Sequence, residues 1–243
     1  MCYNFAMPPG FQTWPLDAVG ARRIQERVRE EIRIEPLGKK VRLVAGVDAA
    51  FFGERVVGVA SLFLYPRMVL VEYTHVVRKV SFPYVPGLLF FREGPALIDA
   101  LSALGAEPDL VLCDGQGVAH PEGAGLASHV GVMINVPTIG CAKARLVGEY
   151  EEPGTGRGQW SPLLFKGRSV GAVVRTQDGV KPLFVSPGHK ITLGESVRIV
   201  LDCATRYRIP EPLRQADILS RRMKKALEGG KGAVMLLNAS RAP

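Results

Sequence analysis

Four carboxylates occupy positions where an acid invites a chemical explanation. Asp48 interrupts the apolar run Val-Ala-Gly-Val-Asp-Ala-Ala-Phe, and a carboxylate buried there without a partner would cost on the order of several kcal/mol. A hydrogen-bonded or arginine-paired core aspartate satisfies that requirement, and so does a metal ion. Asp114 closes the run Leu-Val-Leu-Cys and opens Asp-Gly-Gln-Gly. That is the carboxyl end of a strand, where ligands collect in open α/β sheets, although Asp-Gly also serves as a plain turn pair. Glu93, in Phe-Arg-Glu-Gly-Pro, stands at the start of a helix, where it either complements the helix dipole or reaches a ligand. Asp217 lies in Arg-Gln-Ala-Asp-Ile-Leu on the last helix, a setting in which an exposed aspartate is the ordinary occurrence. The set is more telling than its members. Hard divalent cations take oxygen ligands, and a pair of them can activate water and neutralise a leaving oxygen during phosphodiester hydrolysis.

Other residues fit the same chemistry. Pro83-Tyr84-Val85-Pro86 fixes one aromatic between two prolines, which restrict their own backbone and that of the residues before them. Such a tip either packs as a turn or wedges between bases to fill the place of an extruded nucleotide. His120 follows Asp114 by six residues in a loop, and Lys143 follows the run Thr-Ile-Gly-Cys-Ala. Each reads as a solvated side chain or as a neighbour of the same sheet edge. His75, His129 and His189 receive no role. Nucleotide-binding motifs are absent: there is no G-x-x-x-x-G-K-[ST] run, and His120 stands where a dinucleotide fingerprint needs its third glycine.

The elements that must position these groups follow from periodicity. Ile24, Val28 and Ile32 recur every fourth residue between Pro15 and Arg33, the pattern of a packing helix with one buried stripe. Three β-rich runs, Val41–Phe52, Arg55–Tyr65 and Met68–Val77, are joined by breaks short enough to require antiparallel hairpins. A helix through Leu97–Leu104, a strand Leu110–Cys113, a helix Leu126–Ile134 and a strand Pro137–Ala142 then alternate, which predicts a βαβ unit with parallel pairing. Val170–Arg175 and Leu183–Ser186 read as a late hairpin, Leu193–Tyr207 and Pro212–Glu228 as closing helices, and Glu151–Gly158 as a mobile surface loop. The expected fold class is α/β, a mixed sheet of three antiparallel strands followed by parallel strands, flanked by helices. No repeat or compositional break divides the chain, so residues 1–243 are expected to form one domain, frayed after about residue 230.

Composition narrows the function classes. With 243 residues and 47% apolar content the chain can bury a core, and 31 basic against 23 acidic residues leave a formal charge of +8. A sequence pI near 9.5 favours acidic partners such as nucleic acid. The longest uncharged stretch, Gly123–Ala142, carries Ser128, His129, Asn135, Pro137 and glycines, unlike a bilayer span. The first ten residues have neither a basic nor an apolar segment of a secretory signal. A cytoplasmic monomer without membrane contact is the expectation. Cys2, Cys113, Cys141 and Cys203 form no C-x-x-C pair and read as free thiols.

From about Val41 to Ser220 the chain resembles the endonuclease V family. The likeness is carried by five ordered motifs: Ala-Gly-Val-Asp, Pro-Tyr-Val-Pro-Gly-Leu-Leu-Phe-Phe-Arg-Glu, Asp-Gly-Gln-Gly-Val-Ala-His-Pro, Pro-Thr-Ile-Gly-Cys-Ala-Lys and Tyr-Arg-Ile-Pro-Glu-Pro-Leu-Arg-Gln-Ala-Asp. The resemblance implies a ribonuclease H-like fold. It also implies incision of nucleic acid at the second phosphodiester bond 3′ to a deaminated adenine, leaving 3′-hydroxyl and 5′-phosphate ends. By the same likeness Asp48, Glu93 and Asp114 match the ligands of Mg2+, with Mn2+ as substitute, and Asp217 takes the fourth place, which varies between Asp and His. Lys143 matches a basic residue near the scissile phosphate, His120 a residue close to the flipped nucleotide, and Pro83–Pro86 with Tyr84 the wedge. Gly87, Leu89, Gly115, Gly125 and Leu126 match the base pocket. The leading decapeptide, the Glu151–Gly158 loop and the tail after Ser220 lie outside the likeness. Inosine-containing DNA is the expected substrate. Inosine-specific cleavage of RNA is the alternative, and a non-catalytic nucleic-acid-binding module is another; an actin-like phosphotransferase is disfavoured because paired phosphate loops are missing.

Overall fold

The computed structural model describes residues 14–15 and 17–229; the leading decapeptide, Cys2 and the expected frayed tail lie outside them. The chain runs α1 (Ala18–Glu31), β1 (Leu43–Phe52), β2 (Arg55–Leu64), β3 (Val69–Lys79), α2 (Phe90–Ser102), β4 (Leu110–Cys113), α3 (Leu126–Ile134), β5 (Thr138–Ala142), β6 (Trp160–Phe165), β7 (Arg168–Val174), β8 (Leu183–His189), α4 (Leu193–Cys203) and α5 (Glu211–Glu228). The strands form one eight-stranded sheet in the order β3-β2-β1-β4-β5-β8-β7-β6. The first three are antiparallel, β1, β4 and β5 are parallel, and β8, β7 and β6 return antiparallel. This is the expected ribonuclease H-like mixed sheet, extended by one strand, β6, that periodicity did not signal. Among the described residues no helix is long and apolar enough to cross a membrane, and Cys113, Cys141 and Cys203 are buried free thiols.

Strand periodicity decides which face each side chain meets. Ala45 and Val47 of β1, with Val111 and Cys113 of β4, pack against α1, α2 and α3, whereas Val44, Leu110 and Leu112 pack on the side of α4 and α5. Position 46 belongs to the second face, and there α5 comes very close. A Cβ on Gly46 would stand 2.2 Å from the Pro212 carbonyl carbon, so only glycine allows the helix to settle on the sheet. Ser61 Oγ donates to the same Pro212 carbonyl at 2.7 Å.

Two boundaries and one loop differ from the sequence reading. Helix α2 begins at Phe90, ahead of Glu93, and tolerates Pro95 inside it. Helix α4 stops at Cys203 rather than Tyr207, because Arg208 turns inward to donate to the carbonyls of Lys143 and Pro182 at 3.0 and 2.7 Å. The Glu151–Gly158 loop, expected to be mobile, is strapped down by the buried Arg175, whose guanidinium bonds Gly154 O, Pro153 O and the Glu152 carboxylate.

Candidate nuclease site

The parallel register sets the centre of the site. Val47 of β1 lies opposite Cys113 of β4, so the next residue on each strand is an aspartate, Asp48 and Asp114. Glu93 enters from the first turn of α2, and Asp217 from the middle of α5. Lys143 follows β5, the other neighbour of β4. Its Nζ lies 2.5 Å from Asp114 Oδ2. Ser220, one turn beyond Asp217, donates to Asp48 Oδ2 at 2.5 Å and to the Asp217 carbonyl at 3.0 Å. Asp217 itself pairs with Arg221 at 2.9 Å.

Electrostatics shows that the acids are neighbours. Burial, reinforced by the charges of Asp114 and Asp217, pushes the Asp48 carboxyl up to about 6 despite the Ser220 hydrogen bond. Burial, together with Asp48 and Asp114, pushes Glu93 up to about 8. Burial pulls Lys143 down, but its bond to Asp114 and the charges of Asp114, Asp217 and Asp48 outweigh this and raise it. Among the described residues, no three His, Cys, Asp or Glu are gathered as a finished metal-ligand set. The side chains are turned to protein partners instead: Asp114 to Lys143, Asp48 to Ser220 and Asp217 to Arg221. The donor set is nevertheless all oxygen and repels itself, which suits a hard divalent cation and not a soft one.

Beside these acids lies a cavity of about 510 Å³, within the usual size of a small-ligand pocket. Tyr84, Gly87, Leu89, Gly115, Gly125 and Leu126 all line it, as do Val85, Pro86, Asp114, His120 and Lys143. Pro83, Asp48, Glu93 and Asp217 do not. A Cβ on Gly125 would stand 2.4 Å from the Gln116 carbonyl oxygen, so glycine is needed to fold the loop back on itself. Tyr84 stands 71% exposed at the rim, with the Arg92 guanidinium 5.9 Å from its ring and 4.9 Å from that of Phe51. The buried His120 accepts the Glu122 N–H on Nδ1 at 3.2 Å, which leaves its proton on Nε2. Burial holds that imidazole below its ordinary value against the opposing pull of Glu122.

Several contributors carried no signal in the sequence. Buried Gln25 of α1 donates to Gly87 O at 3.0 Å and to Ala124 O at 3.1 Å, tying the Tyr84 loop to the loop after β4. The helix read only as packing therefore braces both pocket walls. His129 also lines the cavity, stacked on Phe90 with 4.5 Å between ring centres and bonded through Nδ1 to Gly125 O. Its Nε2 and the Oε1 of Gln116 are buried acceptors without a protein partner among the described residues. Ser220 could have been found from its spacing of three residues after Asp217, which puts both on one helical face.

Known proteins share both the sequence and the fold of this chain. A sequence model of the family described as Endonuclease V matches residues 25–218. The chain is 45% identical over 209 residues to endonuclease V of Roseiflexus sp., covering 86% of this chain and 94% of the relative. The crystal structure of endonuclease V from Streptomyces avermitilis superposes with a TM-score of 0.84 at 42% identity, covering 94% of this chain and all of the other, 100%. That of Ciona intestinalis endonuclease V, in complex with a 24mer DNA containing an inosine followed by a ribo-adenosine, superposes with a TM-score of 0.75 at 33% identity, covering 86% and 98%.

Proposed function

Because the chain belongs to the endonuclease V family, and is thereby a nuclease, we propose that it recognises deoxyinosine in DNA and cuts the second phosphodiester bond 3′ to it, in DNA repair. The observation that carries this reading is one cavity bordered by both the prolyl-held Tyr84 and the Asp114–Lys143 pair. Base capture and backbone chemistry then share one site.

In this reading Tyr84 fills the stack where the inosine has left it, and the base enters among Gly87, Leu89, Gly115, Gly125 and Leu126. Hypoxanthine offers a ring N–H and a carbonyl but lacks the exocyclic amine of guanine. Backbone groups brought close by glycine, with the unpaired acceptors of Gln116 and His129, suit that edge. The Lys143 ammonium neutralises the scissile phosphate, and the neutral His120 donates from Nε2 beside it. Asp48, Glu93, Asp114 and Asp217 would hold Mg2+, for which Mn2+ would substitute. Such ions, when bound, activate water and neutralise the leaving 3′ oxygen. Residues 1–243 act as one catalytic domain.

A second reading, cleavage at a ribonucleotide, is favoured by the Ciona intestinalis complex, whose DNA carries a ribo-adenosine after the inosine. A single contact to a 2′-hydroxyl separates the two substrates. One assay tests both: labelled inosine substrates, DNA or RNA and single or double stranded, incubated with the enzyme and magnesium beside inosine-free controls. A nick that depends on deoxyinosine supports the first reading, and faster cutting of RNA supports the second. No inosine-dependent cut on any substrate sinks both. The Asp48→Ala variant separates a nuclease from a binding module: cleavage falls about 10³-fold or more while inosine binding persists, and unchanged cleavage removes Asp48 from the chemistry.

A further inference from the structure

We propose that the groove between the β6–β7 turn and the loop after β4 is a second nucleic-acid site, which takes the single strand that continues from the inosine pocket. The inference rests on the nuclease reading above. The groove encloses about 470 Å³ and is lined by Arg29 of α1, Phe165, Lys166 and Arg168 of the hairpin, and Val118 and His120–Gly123 of the loop after β4. His120 lines this groove and the catalytic cavity alike, so the two sites share a wall and a strand can pass from one to the other.

The chemistry of the lining selects the occupant. Arg29, Lys166 and Arg168 are exposed and form no ion pair among the described residues, and Glu122 is the one acid in the groove's lining, while Glu26 borders Arg29 on its other side. Three cations against one carboxylate suit a phosphate backbone. Half-buried Phe165 adds an aromatic face, with Lys166 Nζ 5.1 Å from its ring centre. Basic side chains beside an aromatic are what a single strand uses: phosphates meet the charges and a base stacks on the ring. The support is rigid. Phe165 and Arg168 pair across the tight turn, where Lys166 and Gly167 take positive φ values of 52° and 72°, the conformation that joins two strands with a two-residue link. Neither Lys166 nor Arg168 touches the carboxylates, so both can be changed without entering the chemistry.

The test uses the full chain and its K166E/R168E variant on single-stranded inosine oligonucleotides with long flanks, and on others shortened on either side of the inosine. The expected result is a KM raised about tenfold on the long substrate with kcat unchanged, the difference vanishing when one flank is removed. Phe165→Leu, which keeps the apolar bulk but removes the ring, should raise KM by a similar factor on the same substrates. Binding of an inosine-free oligothymidylate, followed by fluorescence anisotropy, provides an arm independent of cleavage. There the slope of log K against log salt should shrink by about 1.4, the value for two lost phosphate contacts on a single strand. Wild-type KM and salt slope in the double variant would overturn the proposal, as would equal losses on long and shortened substrates. If the wild-type protein cuts no inosine substrate while the salt slope still shrinks, the groove stands and the inosine reading falls.

Discussion

Burial sets the protonation of Asp48 and Glu93, and stability therefore depends on pH in a definite direction. Both carboxyls are raised when folded, to about 6 and about 8, from ordinary values of 3.8 and 4.5. Between those limits the folded chain holds more protons than the unfolded one. This contribution is therefore fully favourable below about pH 4 and is lost as pH rises through 6 and 8, on the order of several kcal/mol in all. In chelator-treated protein, Glu93→Gln should flatten the fall of melting temperature between pH 5 and 8.5; a slope as steep as in the wild-type chain would remove Glu93 as its source. Tyr84 makes the opposite case, because its 71% exposure leaves little folding energy at stake. Tyr84→Ala should lower the preference for inosine over normal duplex about tenfold with an unchanged melting temperature. Equal losses on every substrate would contradict a wedge. At this scale the acids and the proline-held tyrosine at the cavity rim were legible, because a charge in an apolar run and an aromatic between prolines are anomalies. Gln116 and Gln25 were not: a polar residue on a helix or in a Gly-rich loop is unremarkable until its partner across the fold is known. Ser220 offered only its helical spacing to Asp217, which shows a shared face but not the bond to Asp48.

Elements bring the residues together through contacts that tolerate no side chain. Helix α5 carries Asp217 and Ser220 and rests on β1 where Gly46 meets the Pro212 backbone. Gly46→Ala places a methyl 2.2 Å from that backbone, and backbone cannot rotate away as a side chain can. Overpacking of this kind costs about 1–3 kcal/mol, which lowers the melting temperature by about 2–4 °C per kcal/mol in a chain of this size. Cleavage should fall further than stability, since the helix that holds Ser220 against Asp48 must shift. Gly38→Ala, which meets nothing within 4 Å, is the control and should leave both unchanged; equal melting temperatures for the two variants would refute the argument. The parallel β1-β4-β5 centre and its helices were readable because short apolar runs alternate with helical spacing. Strand β6 escaped because it is an edge strand, with Trp160, Pro162 and Leu164 exposed and only Leu163 buried, so it lacks the regular half-buried pattern. The early end of α4 was hidden for another reason. It is enforced by Arg208 reaching carbonyls that belong to other elements, a long-range bond that local propensity cannot report.

Over the whole molecule, charge is divided against itself: a chain of formal charge +8 holds a centre in which burial, reinforced by mutual repulsion, raises the carboxyls of Asp48 and Glu93. The basic exterior attracts a polyanion at long range, while the acidic centre repels the phosphate that must come closest. Binding and cutting should therefore respond to different ions. Raising monovalent salt from 50 to 200 mM should weaken duplex binding about tenfold or more, since each neutralised phosphate contributes about 0.9 to the slope of log K against log salt. Once the strand is bound, added salt should change the single-turnover rate far less, because the centre is shielded from solvent ions. A chelator should do the reverse, stopping cleavage while leaving the salt slope of binding in place. Anisotropy for binding and single-turnover cleavage for chemistry, measured on one inosine duplex across both titrations, separate the two. If salt and chelator acted in parallel on both readouts, one set of charges would be doing both tasks, and the division between a basic frame and an acidic centre would have no functional meaning.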